Sequence, residues 1–322
     1  MKKNKHNAVV FKEMTVDMKK PKVMLVMLLA NLGLTFIAIA FFGFDLFAIT
    51  MGEGTYRIIA WYFIVMVFME FFVIMFVTPA ITAGSVSLEK ERQTLDVLLT
   101  TRLTPWEIIK GKFLSNFVFL ASLVVSTFPL LSLIFIYGGV SLWSLLWVGL
   151  SMIVVIAFIE SIGIFWSAIT KNTILSVILS YLSMFFQVFF TAIIPTMLII
   201  FVEMINLLLY EDIIQLPYNL QITNQHLLNG DYFILIALLN PVALIFDTVG
   251  NAIGYTFGET SFTGMVSLAD TLTHMTEKNI FLLGWSPLSM VLIILLTFGI
   301  LKLSAAFLNP LRGRKKKVKN KR

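Results

Sequence analysis

The chain has 322 residues, of which 58% are hydrophobic and 13% charged, with 30 Phe, no Cys and a formal net charge of +6. A soluble domain of this length is about twice as charged and cannot bury that much apolar surface, so the excess must face lipid. The absence of cysteine excludes disulfides, thiol catalysis and Cys-ligated metals, and His6, His226 and His274 are too scattered to form a metal site by local spacing. The positive charge does not suggest nucleic acid. It gathers at the N-terminus (Lys2, Lys3, Lys5, Lys12, Lys19, Lys20, Lys22), at Arg312 to Arg322 and in one short central segment. Such clusters beside apolar spans hold loops on the cytoplasmic side and attract anionic lipid.

In chain order, residues 1–22 form a basic N-terminal segment. The first apolar run, Val23–Phe44, is the length of a full span rather than of a signal-peptide core, so it is expected to be an uncleaved first helix. Further spans are expected at Ile58–Thr82, Phe113–Tyr137, Leu142–Thr170, Ile174–Leu208 and Leu288–Phe307. The reading is an all-α polytopic integral membrane protein with six transmembrane helices. Its transmembrane domain covers 23–307, and a basic cytoplasmic tail follows at 308–322. With the N-terminus inside, the outside segments are about 45–57, 138–141 and 209–285, and both termini lie in the cytoplasm. Of 24 Lys and Arg, only Arg57 and Lys278 fall outside, as the charge rule requires.

Segment 209–285 carries a second apolar stretch, Tyr232–Ile245, broken by Asn240-Pro241 and followed by Asp247. One extra span there would place the basic tail outside. A broken, re-entrant or surface-lying helical pair preserves the parity. Gly250, Gly254 and Gly258 recur every four residues and would give a helix one smooth face, or serve as loop glycines.

The most informative stretch is the cytoplasmic segment 85–112. Leu88, Leu95 and Leu99 share one helical face, with Leu98 beside them, while Glu89, Lys90, Glu91 and Arg92 mostly occupy the other. That pattern predicts an amphipathic helix along the inner membrane surface, ending near Thr100. Thr104-Pro105-Trp106-Glu107 then reads as a capping box, with Pro105 at the first position of a helix that runs into the third span.

The pattern Glu89-Lys90-Glu91-Arg92-x-Thr94-Leu95-Asp96-x-Leu98-Leu99, continuing through Leu103-Thr104-Pro105-x-Glu107-Ile108 to Gly111-Lys112, resembles the signature of ABC-2 type permeases, the membrane subunits of ATP-binding-cassette exporters. The match is close over about 25 residues and unspecific elsewhere. The resemblance implies a homo- or heterodimer of six-helix units, each docked on a cytoplasmic ATPase subunit. It casts Glu89, Lys90, Glu91, Arg92, Thr94, Leu95, Leu98, Leu99, Thr104 and Pro105 as the element coupled to that ATPase. It also implies short re-entrant helices before the last span. The chain lacks G-x-x-x-x-G-K-[ST], so ATP and Mg are expected on the partner and no cofactor on this chain; no enzymatic motif of the H-E-x-x-H or G-x-S-x-G kind occurs. Besides the ATPase and a second permease unit, the expected partner is membrane lipid.

Three carboxylates, Glu70, Glu160 and Glu203, fall in or near apolar runs, where an acidic group costs roughly 2.5–3.5 kcal/mol at a helix centre. Glu70 and Glu160 either line a translocation path or join helices; Glu203, near the outer boundary, reads as a joining group. Phe41, Phe42, Phe71, Phe72, Phe185, Phe186, Phe189 and Phe190 are expected against lipid or neighbouring helices. Trp61, Trp143 and Trp285 at the outer boundary and Trp106 at the inner one are expected as interfacial anchors. The rival readings are an ion-coupled secondary transporter or channel and a membrane enzyme. The first would use Glu70 and Glu160, but no inverted repeat is evident; the second would need a polar cluster at one depth, and none is evident.

Overall fold

The structure, a computed structural model, describes residues 21–50, 57–95, 104–136, 140–214, 230–257 and 285–308. The described residues are almost entirely helical and contain no strand. In chain order they form α1 (Pro21–Thr50), α2 (Arg57–Thr82), α3 (Ser87–Glu91), α4 (Pro105–Ile136), α5 (Leu142–Ile169), α6 (Thr173–Ile214), a 3₁₀ helix (Gly230–Leu239), α7 (Pro241–Phe257) and α8 (Trp285–Leu308).

Five of these helices are long and apolar enough to cross a membrane, those containing Tyr62, Pro105, Leu142, Thr173 and Trp285. The 28 residues of α5 extend about 42 Å at 1.5 Å per residue, more than the roughly 30 Å of a bilayer core. The first expected span coincides with α1, whose described apolar portion is Leu28–Ala40. Pro79, Pro129 and Pro195 lie inside α2, α4 and α6, where bundle neighbours can satisfy the backbone groups that proline frees. Helix α6 runs six residues beyond the expected end at Leu208, into the expected outside segment.

The bundle is organised around α5. It packs most extensively along α8 and also touches α2, α4, α6 and α7. Over half of its apolar window is buried (56%), against 17% for α6 at the periphery. The core joins Phe63, Met66 and Val67 of α2 to Leu120 of α4, Met152, Val155, Ile156 and Ile159 of α5, Leu244 and Ile245 of α7, and Ile293 of α8. The apolar side chains left outside include Phe36, Ile174 and Leu295. On α6, Phe185 stacks with Phe189 and Phe186 with Phe190, and all four rings are exposed. On α2, Phe71 is buried and Phe72 exposed. A surface this apolar is stable only against lipid.

The stretch broken at Asn240-Pro241 is the 3₁₀ helix followed by α7, packed against α6, α5 and α8. Asn240 makes the break. Its Oδ1 accepts from the N–H of Val242 (2.8 Å) and its Nδ2 donates to the Val188 carbonyl (3.1 Å). Asn240 therefore caps α7 and fixes the junction to α6. Ser289 of α8 donates to the Leu238 carbonyl (2.7 Å). Helix α7 buries Leu244, Ile245, Asp247, Thr248, Val249 and Ala252; Gly250 and Gly254 lie within it, but Gly250 is only half-buried, and Gly258 lies outside the described residues. Trp285 departs from its expected role. It is buried against Leu238, because the 3₁₀ helix covers the start of α8. Trp143 is exposed and stacked with Trp147. The side chains of Phe41, Phe42, Trp61 and Glu203 lie outside the described residues, as do 1–20 and 309–322.

Candidate functional site

The connection from α2 to α4 is built at one end of the bundle, beside the turn between α5 and α6. Its foundation is a close approach of α2 to α5. A methyl group on Gly163 would sit 2.0 Å from Thr82 Oγ1, so only glycine admits this contact. One turn further on, Ser167 Oγ accepts from the N–H groups of both Val86 and Ser87, each at 2.8 Å. Ser87 Oγ donates to the Ala83 carbonyl (2.9 Å), which also accepts from Ser176 Oγ of α6 (2.7 Å). The backbone leaving α2 is thus satisfied by hydroxyls from two other helices.

On this base stands α3, and its three consecutive charges each reach a different helix. Glu89 pairs with Lys112 of α4 at 2.5 Å. Lys90 Nζ donates to the carbonyls of Ser167 (3.4 Å), Ala168 and Thr170 (3.1 Å) at the end of α5. Glu91 accepts from the N–H (2.8 Å) and the hydroxyl (2.9 Å) of Thr173, the first residue of α6. A cation at a helix C-terminus and an anion at the next helix's N-terminus both complement the backbone dipoles.

The expected long amphipathic helix is not formed. Helix α3 stops at Glu91 in a Schellman turn: Thr94 N–H bonds the Glu89 carbonyl (2.9 Å), Gln93 N–H bonds the Lys90 carbonyl (3.1 Å), and Gln93 has φ +57°. The reversal separates the two leucines expected on one face. Leu88 is 40% exposed, whereas Leu95 is buried with Val86, Ile108, Ile109, Ile164 and Leu301. Arg92 and Thr94 are exposed. Leu98, Leu99 and the expected helix end at Thr100 lie outside the described residues.

The capping box is present in both directions. Glu107 N–H donates to Thr104 Oγ1 (3.3 Å), and Thr104 N–H donates to Glu107 Oε2 (2.8 Å). Helix α4 then runs unbroken from Pro105 into its apolar span. Trp106 is half-buried edge-on to Phe298 of α8 (5.7 Å), so it packs within the bundle as well as marking a boundary.

The two intramembrane carboxylates sit in helix–helix contacts. Glu70 is buried and accepts from Thr127 Oγ1 of α4 at 2.6 Å, joining α2 to α4. Glu160, on α5, is 0% exposed and neither of its oxygens has a hydrogen-bond partner. Asp247 was not singled out as a site residue; it is buried on α7 and accepts from Asn251 Nδ2 (3.1 Å). Its position four residues before an Asn was the available signal. No group of three or more His, Cys, Asp or Glu able to hold a metal occurs among the described residues.

No family model matches the chain, and no curated protein matches it. What the fold itself defines is the class: a polytopic α-helical membrane protein. Within that class its distinguishing feature is a charged connector tied to three helices at one end of the bundle.

Proposed function

We propose that the chain is the membrane-spanning permease subunit of an ABC transporter, exporting a substrate with energy from ATP hydrolysed on a separate ATPase subunit. In this reading α1 is the sixth span, both termini are cytoplasmic in the cell membrane, and the 3₁₀–α7 pair is the re-entrant element before the last span. The permease works as a dimer with an identical or related chain.

One observation carries the reading: Glu89, Lys90 and Glu91 are joined to α4, α5 and α6 respectively. A transporter driven from outside the membrane needs a connector that passes displacement to several spans at once. Here a push on α3 acts on α4 through the Glu89–Lys112 pair and on the α5–α6 turn through two helix ends. The reciprocal cap at Thr104 and Glu107 makes the other arm of the connector a rigid start to α4. Because the triplet is engaged within the chain, the side chains offered to an ATPase are the exposed Leu88 and Arg92. A mild-detergent pull-down of the tagged chain from its native host tests this. Recovery of a stoichiometric ATP-binding-cassette ATPase, lost with Leu88→Asp and Arg92→Glu, supports the reading; recovery of a different stoichiometric partner, or none, contradicts it.

A second reading, an ion-coupled secondary transporter or channel, is favoured by the two buried carboxylates alone. It requires the lone chain to carry flux in liposomes under an ion gradient.

A further inference from the structure

Lys302 is the only charged residue of α8, and it is exposed. The side chains around it on that surface, Leu295, Phe298 and Leu303, are apolar and exposed as well. Leu301, the residue before it, packs inward with Val86, Ile108 and Ile109, so this part of α8 lies at the connector end of the bundle. A lysine near the end of a spanning helix ordinarily extends its stem toward water and the headgroups. Lys302 does not. Its Nζ lies 4.5 Å from the centroid of the Phe298 ring, one turn back toward the middle of α8. Phe298 stands ten residues before the helix end at Leu308, a rise of about 15 Å.

The ring attracts the ammonium but accepts none of its three protons in an ordinary hydrogen bond. Among the described residues Lys302 has no carboxylate partner and no hydrogen-bond acceptor. A second donor meets the same ring. Trp106 of α4 packs edge-on to Phe298 at 5.7 Å, and its indole N–H also has no acceptor among the described residues. Trp147 and Trp166, by contrast, donate to Ser286 and Ser183. Helices α4 and α8 thus hold an ammonium and an indole N–H around one exposed ring, on a surface that is otherwise hydrocarbon.

We propose that Lys302, Trp106 and Phe298 form a binding site for the phosphate of an anionic phospholipid, with an acyl chain lying along Leu295. A phosphodiester supplies the acceptors that both donors lack, and its charge answers the ammonium. A zwitterionic lipid brings its own cation and leaves the charge of Lys302 uncompensated. A soluble anion would satisfy the donors but leave the apolar surface beside them uncovered. The tail 309–322, which follows α8 in sequence, is basic and has no acidic residue, so it adds to the positive potential that draws such a lipid. The site requires only that the chain spans a bilayer, and it stands whether or not an ATPase docks on α3.

The test uses the full chain in nanodiscs of dioleoylphosphatidylcholine and dioleoylphosphatidylglycerol in equal amounts, with the lipids retained on the released protein counted by native mass spectrometry. The proposal expects phosphatidylglycerol to be retained in preference to phosphatidylcholine. Lys302→Gln should reduce that preference by about tenfold, the equivalent of one lost charge-assisted bond. Trp106→Phe, which keeps a ring and removes the N–H, should reduce it by less. Lys171→Gln removes an equal charge at the α5–α6 turn and should leave the preference unchanged. Equal retention of the two lipids by the unmodified chain overturns the proposal. So does an unchanged preference in Lys302→Gln, or an equal fall in Lys171→Gln, which would make the attraction one of overall charge. Displacement of the phospholipid by inorganic phosphate overturns it too, assigning the donors to a soluble anion.

Discussion

Lys90 and Glu91 are neighbours in sequence, yet the first closes the end of α5 and the second opens α6. Between them the two side chains bracket the whole turn at Thr170-Lys171-Asn172, and Asn172 completes it by accepting the Ile174 N–H at 2.8 Å. The arrangement pairs each charge with the helix end of opposite polarity. A swap of the two residues would reverse both interactions while leaving composition and net charge unchanged.

That swap gives the first prediction. Lys90→Met should lower stability by about 1–2 kcal/mol, through loss of charge-assisted bonds to the α5 carbonyls. Glu91→Gln should lower Tm by less, because Glu91 is exposed. The Lys90→Glu/Glu91→Lys exchange should be worse than either single change. Thermal unfolding of the three variants in one detergent measures the order; an exchange variant as stable as the parent contradicts the bracket.

At Gln93 the chain needs a left-handed residue, and glutamine supplies it against its preference. Gln93→Gly should stabilise the fold by about 0.5–1 kcal/mol, and Gln93→Val should destabilise it by more. Unfolding midpoints of the two variants should move in opposite directions.

Gly163 and Thr82 should show strong coupling. Gly163→Ala forces its new methyl group into the Thr82 hydroxyl and should cost about 1–3 kcal/mol. Combination with Thr82→Ala should recover part of the loss, because the conflicting atom is gone. A double-mutant cycle that is additive would mean the two helices are not in this register.

The helix start at Pro105 depends on a reciprocal pair of bonds. Thr104→Ala should cost about 1 kcal/mol and Glu107→Ala less, as for other N-terminal caps. Calorimetry or denaturant unfolding of both variants checks this. No loss in Thr104→Ala would remove the cap from the account of how α4 begins.

The sequence announced much of this fold, because a bilayer demands long apolar helices and long apolar runs are conspicuous. The ends of α2, α4, α5 and α8 fall close to the runs that predict them, and the Thr104-Glu107 box was legible since its bonds are local. What failed was the helix through 88–99. Leucine spacing carried that expectation, whereas the chain turns at Gln93, with no glycine between Gly84 and Gly111 to signal a stop. The partners of Glu89, Lys90 and Glu91 were hidden for another reason. They lie about 20 to 80 residues away, and nothing local distinguishes a charge held by a distant helix end from one left for another protein. Trp285 was misplaced likewise, since its cover comes from the non-adjacent 3₁₀ helix. Glu160 was visible as a buried carboxylate, but its lack of partners is a property of the packed bundle.

The central claim is that α3 presents a docking face to an ATPase subunit. The most direct measurement places a photo-crosslinking amino acid at Leu88, whose side chain is 40% exposed, irradiates membranes of the native host, and identifies the adduct by mass spectrometry. The account predicts a crosslink to an ATP-binding-cassette ATPase, and none from the same probe at Phe186, an exposed ring stacked with Phe190 on α6. Adducts at Leu88 containing only lipid or this chain would contradict it.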